Sequence, residues 1–150
     1  MIRDEIKAAQ IAAMKARDTV TVAATRLIQA AIKNRDIELR TSSATPDDDL
    51  VVTEVLQKMI KQRRESIELY NKGGRPELAE AEAAEVAVIE RFLPQQMSDS
   101  DATLAIDAIA SELGATSVKD MGRVMAAVKE RHAGQLDMSK ASALVKARLS

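Results

Sequence analysis

The chain has 150 residues, of which 46% are hydrophobic and 30% charged, and its formal net charge is -1. This composition excludes general disorder and bulk electrostatic capture of nucleic acid, and the length fits one domain or two small ones. Cysteine is absent and His132 is the only histidine, so disulfides, thiolate catalysis and any site that needs two histidines are excluded. We therefore expect no metal site and no cofactor.

The first forty residues predict two helices. Apolar residues recur at helical spacing from Ile2 to Ala13 and predict a first helix that ends near Arg17. Asp18 or Thr19 can cap a second helix, because a short polar side chain accepts a hydrogen bond from a free N–H group of the first turn. The apolar stripe of this helix fades by about Leu39 and comprises Ala24, Leu27, Ile28, Ala31 and Ile32.

A third helix follows a loop at Thr41-Ser42-Ser43-Ala44. Thr45 can cap it, and Pro46 suits the first helical position, where a backbone N–H is not needed. Gly73-Gly74 predicts its end, because glycine takes left-handed backbone angles cheaply. Its apolar positions are Val52, Val55, Leu56, Met59, Ile60, Ile67 and Tyr70.

A fourth helix restarts at Pro76 and must end or kink at Leu93-Pro94, because proline lacks an N–H donor and restricts the preceding residue. Glu85 interrupts its apolar face, which comprises Leu78, Ala81, Val88, Ile89 and Phe92. Four helices with short connections predict an N-terminal bundle over residues 1–97.

Three short helices are predicted over residues 98–150. Ser98 with Asp101, and Ser117 with Asp120, form S-x-x-D capping pairs, and Asp137 can cap the last helix. No segment alternates with period two for long enough to predict a sheet. The predicted fold class is therefore all-α, with a bundle of about four helices followed by a small three-helix tail domain.

Charge is segregated between the third and fourth helices. Four cations and no acid lie from Val55 to Arg64, whereas five acids and no cation lie from Glu77 to Glu90. If these helices are antiparallel, part of this charge pairs across them. The alternatives are a basic strip that faces a ligand and simple solvation. The cations concerned are Lys58, Lys61, Arg63 and Arg64.

The last third of the chain is segregated in the same way. Residues 99–118 hold four acids and no cation, whereas residues 119–148 hold seven cations against three acids, a local net charge of +4. This excess of positive charge predicts a surface whose cations neutralise the phosphates of a nucleic acid. The two aromatic residues, Tyr70 and Phe92, lie in apolar stripes, which favours structured RNA over a single strand that stacks on rings. The candidate RNA-binding residues are Lys119, Arg123, Lys129, Arg131, Lys140, Lys146 and Arg148.

Gly122 is a candidate for close packing. It lies between Met121 and Val124 in a predicted helix, where a glycine costs roughly 0.5–1 kcal/mol relative to alanine. Its presence predicts a close helix–helix or helix–ligand approach at this position.

Four stretches of the chain resemble the YqeY family (GatB/YqeY domain proteins) in their order and spacing. From about Ser98 onward, the chain is also similar to the tail domain of the B subunit of the tRNA-dependent amidotransferase. The four stretches are Ala30-Ala31-Ile32-Lys33-Asn34 with Ile37-Glu38-Leu39, Ile60-Lys61-Gln62-Arg63-Arg64-Glu65-Ser66, Leu93-Pro94-Gln95-Gln96-Met97-Ser98, and Lys119-Asp120-Met121-Gly122-Arg123-Val124-Met125.

The resemblance implies a non-catalytic module that holds tRNA, alone or within an amidotransferase or aminoacyl-tRNA synthetase complex. It also links the chain to a carbon–nitrogen ligase that uses glutamine as nitrogen donor, but we identify no catalytic residue here. Two places depart from the family pattern. Met138 replaces the second glycine of the turn before the last helix, and Ala126-Ala127 stand where a further glycine is common.

The alternative function is a helical protein-interaction adaptor without RNA binding, which uses the third and fourth helices. Charges recur from Arg3 to Lys7, too early for the apolar region of a signal peptide, and no window approaches the length of a membrane span. We therefore expect a cytoplasmic protein that binds neither membranes nor DNA.

Overall fold

The computed structural model describes residues 1–42, 46–132 and 134–150. These residues form seven α-helices, one short 3-10 turn and no strand, which confirms the all-α prediction. The helices are α1 (Ile2–Ala16), α2 (Thr19–Leu39), α3 (Asp48–Lys72), α4 (Pro76–Glu90), α5 (Asp99–Glu112), α6 (Met121–Arg131) and α7 (Met138–Leu149), with the 3-10 turn at Val118–Asp120. The chain divides into two compact units, Met1–Leu93 and Pro94–Ser150.

In the first unit, α2 packs against each of the three other helices. Its N-cap is Asp18, one of the two predicted candidates, and the Asp18 carboxylate accepts a hydrogen bond from the Thr21 N–H at 3.1 Å. The predicted stripe of α2 is only partly correct, because Leu27 is 44% exposed while Ile28 is fully buried. The largest fully buried side chains of this core are Ile6, Ile28, Val52, Leu56 and Ile89.

The start of α3 differs from the prediction. The helix begins at Asp48, and Asp47 caps it by accepting a hydrogen bond from the Leu50 N–H at 3.2 Å. Pro46 therefore precedes the cap and does not occupy the first helical position. The expected cap Thr45 lies outside the described residues, as do Ser43 and Ala44 of the predicted loop. At the other end Gly74 has a φ of 71°, which fits the predicted glycine stop.

The second unit packs α5, α6 and α7 around one core. Ser98 and Asp137 cap α5 and α7 as predicted. The segment before α5 belongs to this unit because its polar groups bond to the turn before α7. The Met97 N–H donates to the Gln135 carbonyl at 2.9 Å, and the Gln96 side-chain amide donates to the Gly134 carbonyl at 2.5 Å.

Candidate nucleic-acid interface

The seven candidate RNA-binding cations all lie exposed on the second unit. Lys119 belongs to the 3-10 turn, and the others belong to α6 and α7. The apolar sides of α6 and α7 are fixed by Val124, Val128 and Val145, which are fully buried. This burial directs the intervening charged positions of both helices to solvent.

Arg131 on this surface is engaged by an acid of the same unit. The Arg131 guanidinium donates two hydrogen bonds to the Glu112 carboxylate on α5, at 2.5 and 2.9 Å. Hydrogen bonding and charge attraction hold the pKa of Glu112 below its usual range and raise the pKa of Arg131. The positive charge of Arg131 is therefore already neutralised by Glu112 before any ligand binds.

Two cations of α7 are also paired with acids of α5. Arg148 Nε lies 3.0 Å from Asp107 Oδ1, and the Lys140 ammonium forms an ion pair with Asp99. Acidic side chains of α5 therefore neutralise much of the positive charge that the sequence indicated as available to phosphates. The segregated charge of residues 99–148 predicted a phosphate-binding surface, and it did not indicate that acids of α5 would pair with it.

Arg123 has a structural role at the turn between α5 and α6. Its guanidinium donates to Asp120 Oδ1 at 2.8 Å and to the Leu113 carbonyl at 3.3 Å. The other Asp120 oxygen accepts the N–H groups of Thr116 at 3.0 Å and Ser117 at 3.4 Å, within the predicted Ser117–Asp120 capping box. The Arg123 hydrogen bond is the main reason why the pKa of Asp120 lies below its usual range.

Lys119 and Lys146 differ from these cations. Neither has an ion pair within the described ranges, and both side chains are exposed. Their ammonium groups can therefore meet a phosphate without first leaving an internal carboxylate. Among the seven predicted residues, they are therefore the best-supported candidates for RNA contact.

The expectation of a close helix–helix approach at Gly122 is wrong within the described chain. Gly122 is exposed, and a Cβ built on it meets no atom within 4 Å. It is the second residue of α6, so it lies in the first helical turn and not in mid-helix. No contact within the described chain requires a glycine at this position.

We expect Gly122→Ala to raise the free energy of unfolding of the second unit by about 0.4–1 kcal/mol, because alanine restricts the unfolded chain and fits the open space. Urea denaturation followed by circular dichroism measures this change. A loss of stability would show that the position is constrained by a contact. A gain of stability combined with lost RNA binding would show that a ligand approaches the glycine closely.

His132 lies at the end of α6, and its Nδ1 is 3.1 Å from the Gln135 side-chain oxygen. Met138 is partly buried against the core of the second unit. The methionine that departs from the family pattern therefore contributes to packing. No group of three or more His, Asp or Glu side chains within the described ranges could hold a metal ion.

Charge also pairs within the first unit, as one of the three alternatives predicted. Arg63 Nε lies 2.8 Å from Glu85 Oε2 and 3.9 Å from Glu82 Oε2, and Arg64 Nη2 lies 2.9 Å from Glu90 Oε1. These contacts join α3 to α4. They explain why Glu85 interrupts the apolar face of α4, since that position faces an arginine.

Arg3 joins three helices of the first unit, a contact that no pattern in the sequence indicated. Its guanidinium donates to Asp36 of α2 at 2.8 and 3.0 Å and to Asp48 of α3 at 2.8 and 3.3 Å. These bonds raise the pKa of Arg3 and lower the pKa of Asp36. The Arg3–Asp36 pair therefore stabilises the bundle above the pKa that Asp36 has when unfolded, and this stabilisation is lost as the pH falls through its lower folded-state pKa.

Comparison with known proteins gives consistent matches. The family model for Yqey-like proteins matches residues 3–149. Altered inheritance of mitochondria protein 41, mitochondrial, of Eremothecium gossypii is 34% identical over 107 residues, which cover 69% of this chain and 56% of that protein. The protein of the same name from Lachancea thermotolerans is 33% identical over 101 residues, which cover 67% of this chain and 51% of that protein. The match to the chain thus spans about half the length of these curated relatives.

These matches correct the expected location. The relatives are named as mitochondrial proteins, so the prediction of a cytoplasmic protein is wrong on this comparison. The early charges at Arg3 to Lys7 argue only against the apolar region of a signal peptide, and they do not distinguish among other compartments. Separately, the described residues contain no helix that is long and apolar enough to cross a membrane.

Proposed function

Because the chain belongs to the YqeY-like protein family, which the match over residues 3–149 shows, we propose that its second unit binds structured RNA, with tRNA as the expected ligand. The chain then acts as a non-catalytic accessory module, and any amidation of aminoacyl-tRNA takes place on a partner enzyme. The resemblance of residues 98–150 to the tail domain of the amidotransferase B subunit supports this proposal.

The observation that carries the proposal is the exposed basic surface of the 3-10 turn, α6 and α7. Four of its cations are paired with carboxylates, but exposed ion pairs contribute only about 0–1 kcal/mol each. A phosphate can therefore replace the carboxylates that pair with Arg131, Lys140 and Arg148 at little cost. Lys119 and Lys146 supply positive charge without such an exchange.

The composition of this unit favours recognition through the RNA backbone. Residues 94–150 contain no Phe, Tyr or Trp on which a base could stack. Proteins that bind single strands without sequence preference usually combine a basic groove with stacked aromatic rings. Phosphate contacts on a folded RNA need only cations that match the shape of its surface.

We expect the full chain to bind folded tRNA at low salt, with an affinity that falls steeply as salt is added. The double variant Lys119→Gln with Lys146→Gln should weaken binding by about tenfold and flatten the plot of log affinity against log salt by about 1–2 units. Filter binding across a salt series measures both quantities. Arg123 is a poor choice for this test, because its loss would disturb the turn before α6.

A matched control removes the same charge elsewhere. Lys58 and Lys61 are exposed on α3, and neither makes an ion pair within the described part of the chain. Lys58→Gln with Lys61→Gln should leave tRNA binding within about twofold. If this control weakens binding more than the test variant, the RNA site lies on α3. If the unaltered chain binds no tRNA at low salt, the proposal fails.

The second candidate is a protein-interaction adaptor without RNA binding. The sequence favours the third and fourth helices for this function, but Arg63 and Arg64 there are engaged with acids of α4. An exposed apolar face on α2 now favours this function from a different part of the bundle.

A further inference from the structure

The outward side of α2 carries a row of exposed residues, most of them apolar. They are spaced alternately three and four residues apart, which is the heptad pattern of helices that pack side by side. The three large residues of this row, Val20, Leu27 and Ile37, are 48%, 44% and 46% exposed. The row, which we call the α2 stripe, consists of Val20, Ala23, Leu27, Ala30, Asn34 and Ile37.

The α2 stripe lies on a helix whose opposite side is already buried. Ile28 is fully buried and Ile32 is 3% exposed in the core of the bundle. Isolated exposed hydrophobic residues are common on protein surfaces, whereas an apolar row along a whole helix marks an interaction surface. A helix of 21 residues is about 30 Å long, and a heptad row drifts by only about 20° per repeat along it. A second helix can therefore follow the stripe over its length.

One edge of the α2 stripe is basic. Arg26, Lys33 and Arg40 follow one another at intervals of seven residues, and all three are exposed. Arg26 and Lys33 make no ion pair within residues 1–42, 46–132 and 134–150. Residues that flank the contact row of paired helices select the partner by charge. Acidic residues on a docked helix would be attracted to this edge, and basic residues would be repelled.

We propose that the α2 stripe docks an amphipathic helix of a partner protein, with Asp or Glu residues beside the apolar row of that helix. The α2 stripe of a second copy of this chain is a less suitable occupant. In an antiparallel pair, the basic edges of the two α2 helices would face each other. In a parallel pair, they would face Ala24, Ala31 and Glu38, of which only Glu38 carries a charge, and Glu38 already pairs with Arg35 of its own helix.

Two synthetic helical peptides test the proposal with the full chain. Both have leucine and isoleucine at heptad spacing and differ only in having glutamate or lysine at the flanking positions. Fluorescence anisotropy should show binding of the glutamate peptide, with the lysine peptide at least about tenfold weaker. The double variant Leu27→Gln with Ile37→Gln should weaken binding of the glutamate peptide by about tenfold or more.

A matched control uses an apolar residue outside the stripe. Leu69 on α3 is 68% exposed, so Leu69→Gln changes a side chain that is more accessible than Leu27 or Ile37, and it should leave binding unchanged. Circular dichroism checks that all variants remain helical. Equal binding of both peptides, binding that survives the stripe variant, or no binding of either peptide would overturn the proposal. A dimer of the chain that Leu27→Gln dissociates would also overturn it, because the occupant would then be a second copy.

Discussion

Replacing Ile28 with alanine is expected to lower the free energy of unfolding of the first unit by about 2–5 kcal/mol. Ile28 is fully buried on α2, the helix that contacts each of the other three helices of its unit. The shorter side chain loses the burial of its removed carbons and leaves a cavity that a close-packed core fills only in part. Since small domains are stable by about 5–15 kcal/mol, this change removes a large share of the total.

The neighbouring residue provides the control for this measurement. Leu27 is 44% exposed, so Leu27→Ala should cost about 1 kcal/mol or less. Urea denaturation monitored by circular dichroism compares the two variants under the same conditions. If Leu27→Ala proves as destabilising as Ile28→Ala, the outward side of α2 is buried. That result would also remove the basis for a docking surface on the α2 stripe.

The sequence predicted the helices well because their signals are local. Asp18, Ser98 and Asp137 cap their helices through hydrogen bonds to N–H groups two or three residues later. Such bonds depend only on residue type and short spacing. The start of α3 was missed because three consecutive aspartates follow Pro46 and several residues in that segment are suitable caps.

The contacts of the candidate surface could not be predicted in the same way. Arg131 pairs with Glu112, which lies 19 residues earlier, and Arg3 pairs with Asp48, which lies 45 residues later. These partners are set by how the helices pack, and periodicity along one helix carries no information on this. The exposure of Leu27 has the same explanation. Hydrophobic spacing assigned Leu27 to the core, but α2 is apolar on two sides and Leu27 lies on the outward one.

Loss of Arg63 is the second change with a large expected effect. Its side chain is 15% exposed and lies between α3 and α4, where it contacts Glu85 at 2.8 Å and donates to the Met59 carbonyl at 3.3 Å. Arg63→Ala leaves Glu82 and Glu85, which are 26% and 29% exposed, as neighbouring acids without their cation. Removing one partner of a buried pair typically costs about 3–5 kcal/mol. Because water can reach these carboxylates, we expect a loss of about 1–3 kcal/mol in the stability of the first unit.

The adjacent arginine separates this effect from a general loss of positive charge. Arg64 is 66% exposed and pairs with Glu90, which is 45% exposed, so Arg64→Ala should cost about 0–1 kcal/mol. The double variant Arg63→Leu with Glu85→Leu should recover much of the stability lost in Arg63→Ala, because it removes both charges of the closer pair, fills the space between the helices and leaves only Glu82, which water can reach. Thermal and urea unfolding of the three variants measure these differences. If Arg63→Ala and Arg64→Ala have equal effects, burial does not strengthen the Arg63 contacts, and the pairing across α3 and α4 contributes no more than ordinary surface charge.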